Sequence, residues 1–304
     1  MTSKHQADIH TIFEPKTGTW QYIVADPKTK EAVIIDSVLD FDPASSTLST
    51  TSADNVLAEI SKHGYTITHI LETHAHADHL TASRYLQSTL QKQGQPRPSI
   101  GIGKRITQVQ ATFAPKYGVD EKHLSDTFDI LFDDNATFAV GCLEAKVLHL
   151  PGHTPDHVGY QIGTAVFTGD SIFNPDVGSA RCDFPGGSAT DLFRSMRTLL
   201  ALPDYFRLYT GHDYPPGERG TPLPYTTVAE QNERNKHVKK GVEEAQFVQW
   251  RRERDARLGE PRLLHQALQF NIRGGSLPEV TEGGLRFLRV PVKVPAAMWK
   301  SARF

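Results

Sequence analysis

Cysteine is nearly absent: Cys142 and Cys182 are the only two in 304 residues. That is too few for a disulfide framework, and their separation lacks the paired spacing of a thiolate zinc site. No stretch approaches the roughly 18 apolar residues of a membrane span, and Met1 to Asp8 has no apolar segment of the kind a secretion signal carries. A formal net charge of −2 supplies no field to draw in nucleic acid or an anionic bilayer. These absences lead us to expect a cytoplasmic protein with no nucleic-acid and no membrane partner, whose ligands are recognised locally. Cys142 is expected to be a packed core thiol, and Cys182, set among charged residues and glycines, is a candidate functional thiol.

What is present suits a globular α/β chain. Apolar residues make up 38% of the sequence, enough to bury a sizeable core. Residues 19–25 and 31–35 are rich in β-branched and aromatic types around a turn at Asp26-Pro27, which predicts a hairpin. A polar insertion from Asp40 to Thr51 precedes a helix with Ser52 as N-cap, Val56, Leu57 and Ile60 on one face and Gly64 as its stop. Ile67 to Leu71 reads as a buried strand, and Leu80, Tyr85, Leu86 and Leu90 as a second helix. From Phe128 to Thr168 short apolar runs broken by turn residues suggest an antiparallel meander. Residues 189–202 form a further helix closed by Pro203, and Phe206 to Tyr209 one more strand. Strands with two apolar faces need cover on both, so two mixed β-sheets flanked by helices is the economical architecture. We expect a catalytic domain over 1–225, with 226–304 as a helical extension and tail packed on it. The apolar tail from Leu285 to Val290 would pack on that core or on a second subunit. Between Glu233 and Arg257 eight Lys or Arg face five Asp or Glu. That excess is either a solvated helix face or a rim for an anionic substrate.

The strand at Ile67 to Leu71 is followed by Thr73-His74-Ala75-His76-Ala77-Asp78-His79, four metal-donor side chains within six positions. A single helix would spread them around its circumference, whereas a turn leaving a strand lets them converge. A histidine-rich polar loop would look the same in isolation. Three further segments have the same form, a strand end running into a glycine-containing turn that offers a donor: Pro151-Gly152-His153-Thr154, Thr168-Gly169-Asp170-Ser171 and Thr210-Gly211-His212-Asp213. Gly169-Asp170 alone is a commonplace turn, and His212 alone is an ordinary surface histidine. Their joint recurrence points to a metal site.

With these residues in place, the sequence resembles the metallo-β-lactamase-fold superfamily. Its H-x-H-x-D-H loop matches His74, His76, Asp78 and His79, and its later donors match His153, Asp170 and His212 over roughly residues 10 to 225. The resemblance implies an αββα sandwich of two mixed sheets with a metal cleft at one edge. Gly178-Ser179-Ala180-Arg181-Cys182-Asp183-Phe184 further resembles the G-x-x-R-x-D-F signature of the persulfide dioxygenases related to the mitochondrial ETHE protein. Pro151 to Pro155 and His212-Asp213-Tyr214 match that branch too. The insertion at Asp40 to Thr51 and the segment Gln266 to Gly275 are similar to its bacterial members.

Carried over residue by residue, the branch implies one Fe(II) per chain on His74, His153 and Asp170, two imidazoles and a carboxylate with positions left for substrate sulfur and O2. The implied reaction oxidises glutathione persulfide with O2 and water to sulfite and glutathione. His76, Asp78, His79 and His212, which would build a second metal site in hydrolase relatives, are expected to orient ligands and bond water or substrate. Arg181, Asp183 and Tyr214 are the expected substrate contacts, with an Arg181 to Asp183 ion pair holding the loop as the structural alternative. Relatives imply a homodimer. Two other functions fit the same residues: a glyoxalase II-like hydroxyacylglutathione hydrolase with a dinuclear site, and a non-catalytic persulfide or metal sensor.

Overall fold

The protein is described by a computed structural model over residues 6–294. The chain opens with β1 (Asp8–Glu14), β2 (Thr19–Ala25), β3 (Glu31–Ile35), β4 (Val38–Asp42), β5 (Thr47–Ser49) and α1 (Thr51–His63). Next come β6 (Thr66–Leu71), β7 (Leu80–Thr81), α2 (Ser83–Lys92), β8 (Ser99–Gly103), α3 (Ile106–Tyr117) and β9 (Ile130–Phe132). A meander, β10 (Thr137–Val140), β11 (Leu143–His149), β12 (Val158–Ile162) and β13 (Ala165–Phe167), leads to α4 (Ala189–Leu200), β14 (Arg207–Tyr209) and β15 (Tyr225–Thr227). Three helices finish the described chain: α5 (Val228–Arg234), α6 (Glu244–Asp255) and α7 (Leu264–Asn271).

Two six-stranded mixed sheets, ordered β1-β2-β3-β6-β8-β9 and β10-β11-β12-β13-β14-β15, face each other. Every residue of β2 is buried, because its alternate side chains serve two different cores. Trp20, Tyr22 and Val24 meet Tyr160, Phe167 and Tyr209 of the opposite sheet, while Ile23 and Ala25 join the layer under α1, α2, α3 and α7. A third core under the second sheet gathers Leu192, Met196 and Leu199 of α4 with Phe247 of α6. The architecture is the αββα sandwich. β15 straddles position 226, and α6 and α7 each contribute to one of these cores.

Local structure departs from the sequence expectations in several places. The polar stretch 40–51 forms most of the β4–β5 hairpin, whose Phe41 and Leu48 are cross-strand partners. Ser52 lies inside α1, its backbone N–H and hydroxyl both donating to Asp40, so it holds the hairpin against the helix instead of capping it. Leu80 belongs to β7, and β9 pairs with β8 in the first sheet. Cys142 is exposed, not a core thiol, because Gly141 and Cys142 form the tight turn between β10 and β11. Leu285, Phe287 and Val290 are exposed on this chain, so they do not pack on its core. No helix among the described residues is long and apolar enough to cross a membrane.

Candidate metal centre

The four donor turns converge because their strands end at one edge of the sandwich. β13 and β14 are parallel, and β11 runs the same way two antiparallel steps from β13. β6 brings the histidine loop in from the other sheet. Glycine is obligatory at the tightest approaches: a Cβ on Gly211 would stand 2.5 Å from Asp170 Oδ1, and one on Gly169, at φ +48°, 2.5 Å from Thr73 Oγ1.

Two donor groups result, the ligating atoms in each lying within 4.8 Å of one another: His74, His153 and Asp170, and His76, Asp78, His79 and His212. Asp170 faces both, with Oδ2 3.6 Å from His153 Nε2 and Oδ1 3.5 Å from His212 Nε2. Asp78 Oδ2 lies 3.3 Å from His212 Nε2.

Each imidazole has one nitrogen held and offers the other. His153 Nδ1 donates to the Arg181 carbonyl at 2.7 Å. His74 Nδ1 donates to Thr73 Oγ1 at 3.0 Å, and that hydroxyl donates to Asp36. His76 Nε2 lies between Asp36 at 3.1 Å and Glu72 at 3.4 Å, His79 Nδ1 faces Asp78 at 3.1 Å, and His212 Nδ1 faces Thr19 at 3.3 Å. The free atoms His74 Nε2, His76 Nδ1, His79 Nε2, Asp170 Oδ1 and His212 Nε2 are buried without a hydrogen-bond partner. Orphaned polar atoms of that kind cost roughly 1–3 kcal/mol each. Oriented imidazoles with such atoms aimed at a common point fit metal ions.

The electrostatics of the two donor groups differ. Burial, then the neighbouring imidazoles His76 and His157, hold His74 well below the ordinary histidine range, so it keeps a lone pair. Burial pulls His76 down, but Asp36 and then Glu72 more than offset it and raise the group well above that range. Burial opposes ionisation of Asp78, yet His212 and His79 depress it below the usual carboxylate range.

Supporting residues missed in the sequence complete the centre. His157, fully buried and stacked on His74, accepts the Asp170 backbone N–H through Nε2 at 2.9 Å. Asp156 accepts the Ala75 N–H. Thr81 and Ser83 donate to Glu72. Asn271 of α7 donates to the carbonyls of His76 and His79, both at 2.8 Å, and accepts the Thr81 N–H. Asn271→Ala would strand these buried groups and is expected to cost about 2–4 kcal/mol and to weaken metal retention about 10–100-fold. Thermal melting together with metal content after dialysis against a chelator checks this, and no change in either would deny the clamp its role.

A cavity of about 580 Å3 opens over the centre, its floor formed by Asp78, His153, Asp170 and His212. Its walls carry Lys16, Arg181, Lys236, Arg251, Arg254 and Arg262, with Phe173, Tyr214 and Trp250 between them. From the basic stretch at 233–257, Lys236, Arg251 and Arg254 line it, Arg251 being buried and paired with Asp255. Arg181 lies in the wall and also pairs with Asp183 and donates to the Gly259 carbonyl. Asp183 lies outside the main cavity, against a shallower pocket with Cys182 and Asp255. Burial, reinforced by Asp255, pushes the Cys182 thiol far above its ordinary range, which leaves it unreactive. Tyr214 is half-exposed and stacks on His212.

Residues 15–212 match the model of the metallo-beta-lactamase superfamily. The chain is 45% identical to the "Beta-lactamase hydrolase-like protein" of Agrobacterium fabrum across 94% of its own length, but spans only 65% of that relative. It is 41% identical to "Glyoxylase B2" of Dictyostelium discoideum, covering 95% of this chain and 98% of the other. To the mitochondrial "Persulfide dioxygenase ETHE1" of Bos taurus it is 29% identical over 88% of each chain. The crystal structure of ETHE1 from Myxococcus xanthus superposes with a TM-score of 0.69 at 28% identity, covering 88% of this chain and all of that one. On its matched residues, its fold and its donor set, the chain belongs to the metallo-β-lactamase superfamily.

Proposed function

We propose that the chain is a persulfide dioxygenase that oxidises glutathione persulfide with O2 and water to sulfite and glutathione, acting in the cytoplasm with one Fe(II) on His74, His153 and Asp170. The observation that carries this reading is the placement of two imidazoles and one carboxylate beneath a cavity walled by cations. The Arg181 segment, whose motif resembles the ETHE-like branch, orients His153 through its backbone carbonyl. Likeness to ETHE1 in sequence and structure supports it. A ferrous ion held by that donor set supplies the redox chemistry and the sites at which sulfur and dioxygen meet.

The chain's own residues do the rest. Glutathione carries two carboxylates, and Lys16, Arg254 and Arg262 offer them cationic partners from the wall, while Trp250 and Tyr214 give its apolar parts cover. The reaction releases protons as water and persulfide become sulfite and thiol, and His212 Nε2, 3.3 Å from Asp78, can hold one at the cavity floor.

One observation favours a second reading. Asp170 faces both donor groups and the second group is intact, the arrangement a dinuclear hydroxyacylglutathione hydrolase would use. Metal analysis and an oxygen electrode separate the two on one anaerobically prepared sample. The dioxygenase predicts close to one iron per chain and O2 uptake on adding glutathione persulfide. Two metals per chain with anaerobic thiol release from S-lactoylglutathione would establish the hydrolase instead.

A further inference from the structure

A second cluster of donors lies outside the cavity, where β1 meets α1. Glu59 and His63, one turn apart on α1, share a face with His10 of β1. Glu59 Oε1 stands 3.2 Å from His10 Nδ1 and 2.9 Å from His63 Nε2. The two imidazole centroids are 4.3 Å apart, and the three donor atoms lie within 4.8 Å of one another. None of the three residues lines the cavity.

The surroundings prepare these donors. His10 Nε2 lies 2.8 Å from the hydroxyl of Tyr65. That contact holds Nε2 in place and turns Nδ1 toward Glu59. Tyr65 is buried, and its ring stacks on His63 at 5.4 Å with the planes 12° apart, which limits the movement of the second imidazole. An oxygen partner on one nitrogen with the other left open is how proteins orient a ligating histidine. The rival for Glu59 is Lys62, whose Nζ lies 3.1 Å from both carboxylate oxygens. Its side chain is 66% exposed, free to swing into solvent when a divalent ion takes the carboxylate.

We propose that His10 Nδ1, Glu59 Oε1 and His63 Nε2 form a second divalent-cation site, suited to zinc, that ties the edge strand β1 to α1. Two imidazoles and one carboxylate are a ligand set zinc accepts in tetrahedral geometry, with water completing the shell at the half-exposed face. β1 is an edge strand of its sheet, so cross-linking it to the covering helix would resist fraying there.

The test uses full-length protein with its primary centre already filled, dialysed against micromolar zinc and then zinc-free buffer. Wild type is expected to retain about one zinc more per chain than His63→Ala or Glu59→Gln, and zinc should raise the melting temperature of wild type alone. Catalytic turnover of both variants should stay at the wild-type level. Glu59→Gln preserves side-chain shape, so it separates loss of a ligand from loss of the fold. As an independent check, copper(II) added to the filled wild type should show two coordinated imidazole nitrogens by electron paramagnetic resonance that are missing from the spectrum of His63→Ala. Equal zinc retention and equal thermal response in wild type and variants, or no imidazole coordination by the added copper, would overturn the proposal.

Discussion

Asp170→Asn is expected to lose metal and turnover together, with activity falling on the order of 10³-fold or more, beyond the 10–100-fold usual for removing a residue that only orients a ligand. The amide is isosteric, but it cannot offer an anionic oxygen toward both His153 and His212. Folding should be spared. The Asp170 N–H to His157 bond belongs to the backbone and survives, and replacing the carboxylate removes a charge close to Asp78 without emptying space. A melting temperature of metal-depleted protein within a few degrees of wild type, alongside lost metal, therefore supports a ligand. A large drop in melting temperature with metal retained would make Asp170 a structural residue. His212→Asn extends the comparison. If one ion on His74, His153 and Asp170 is the working centre, that variant keeps its metal and loses about 10–100-fold in rate. If both donor groups hold metal, it loses an ion and falls as far as Asp170→Asn.

This centre was legible in the sequence to the extent that its donors are local. His74, His76, Asp78 and His79 stand within six positions, and His153, Asp170 and His212 each follow a strand end and a glycine, so a repeated pattern betrays them. Asp36 also follows an apolar strand, but it has no glycine and no second donor beside it, and its role appears only when β3 is seen next to β6. Asn271 carries no local signal at all, since it reaches His76 and His79 across more than 190 residues of chain. His157, two residues after Pro155, looks like any polar residue in a turn until its imidazole is found stacked on His74.

The fold was legible for a related reason. The two core-facing sets of β2 and β3 make continuous apolar runs, which announce strands covered on both sides. α3 escaped notice although Ile106, Val109, Phe113 and Tyr117 sit at helical spacing, because Pro115 falls inside the helix where it ordinarily ends one. The β4–β5 hairpin was lost in its own polarity: after the buried Val38 and Leu39 that open β4, only Phe41 and Leu48 pack against the first core. Cys142 shows the limit of residue-type reasoning, since cysteine is usually buried but a two-residue turn has no interior to bury it in.

Gly152→Ala is expected to be the most destabilising single-atom change near the site. Gly152 has φ +140°, a conformation that residues with a Cβ rarely adopt, and the added carbon would stand 2.2 Å from the backbone nitrogen and 2.3 Å from the Cα of Leu192. These are helix backbone atoms in the first turns of α4, so no side-chain rotation can relieve the contact. The same turn is fixed to α4 twice more, by Ser188 N–H donating to the Gly152 carbonyl and by the Ser195 hydroxyl donating to the Pro151 carbonyl. Either α4 moves off Leu150 and Val166, opening the third core, or the turn moves and takes His153 away from Asp170. Overpacking combined with backbone strain sets the expected loss at about 3 kcal/mol or more. Gly163→Ala is the matched control. Gly163 also has positive φ, at +61°, but nothing lies within 4 Å of its would-be Cβ, so it should cost only the left-handed strain of about 1–2 kcal/mol. Chemical denaturation of the two variants side by side reads the difference, and metal content of whatever Gly152→Ala protein folds reports whether the turn or the helix gave way. Equal losses in the two variants would mean that the approach of Leu192 to this turn places no constraint on His153.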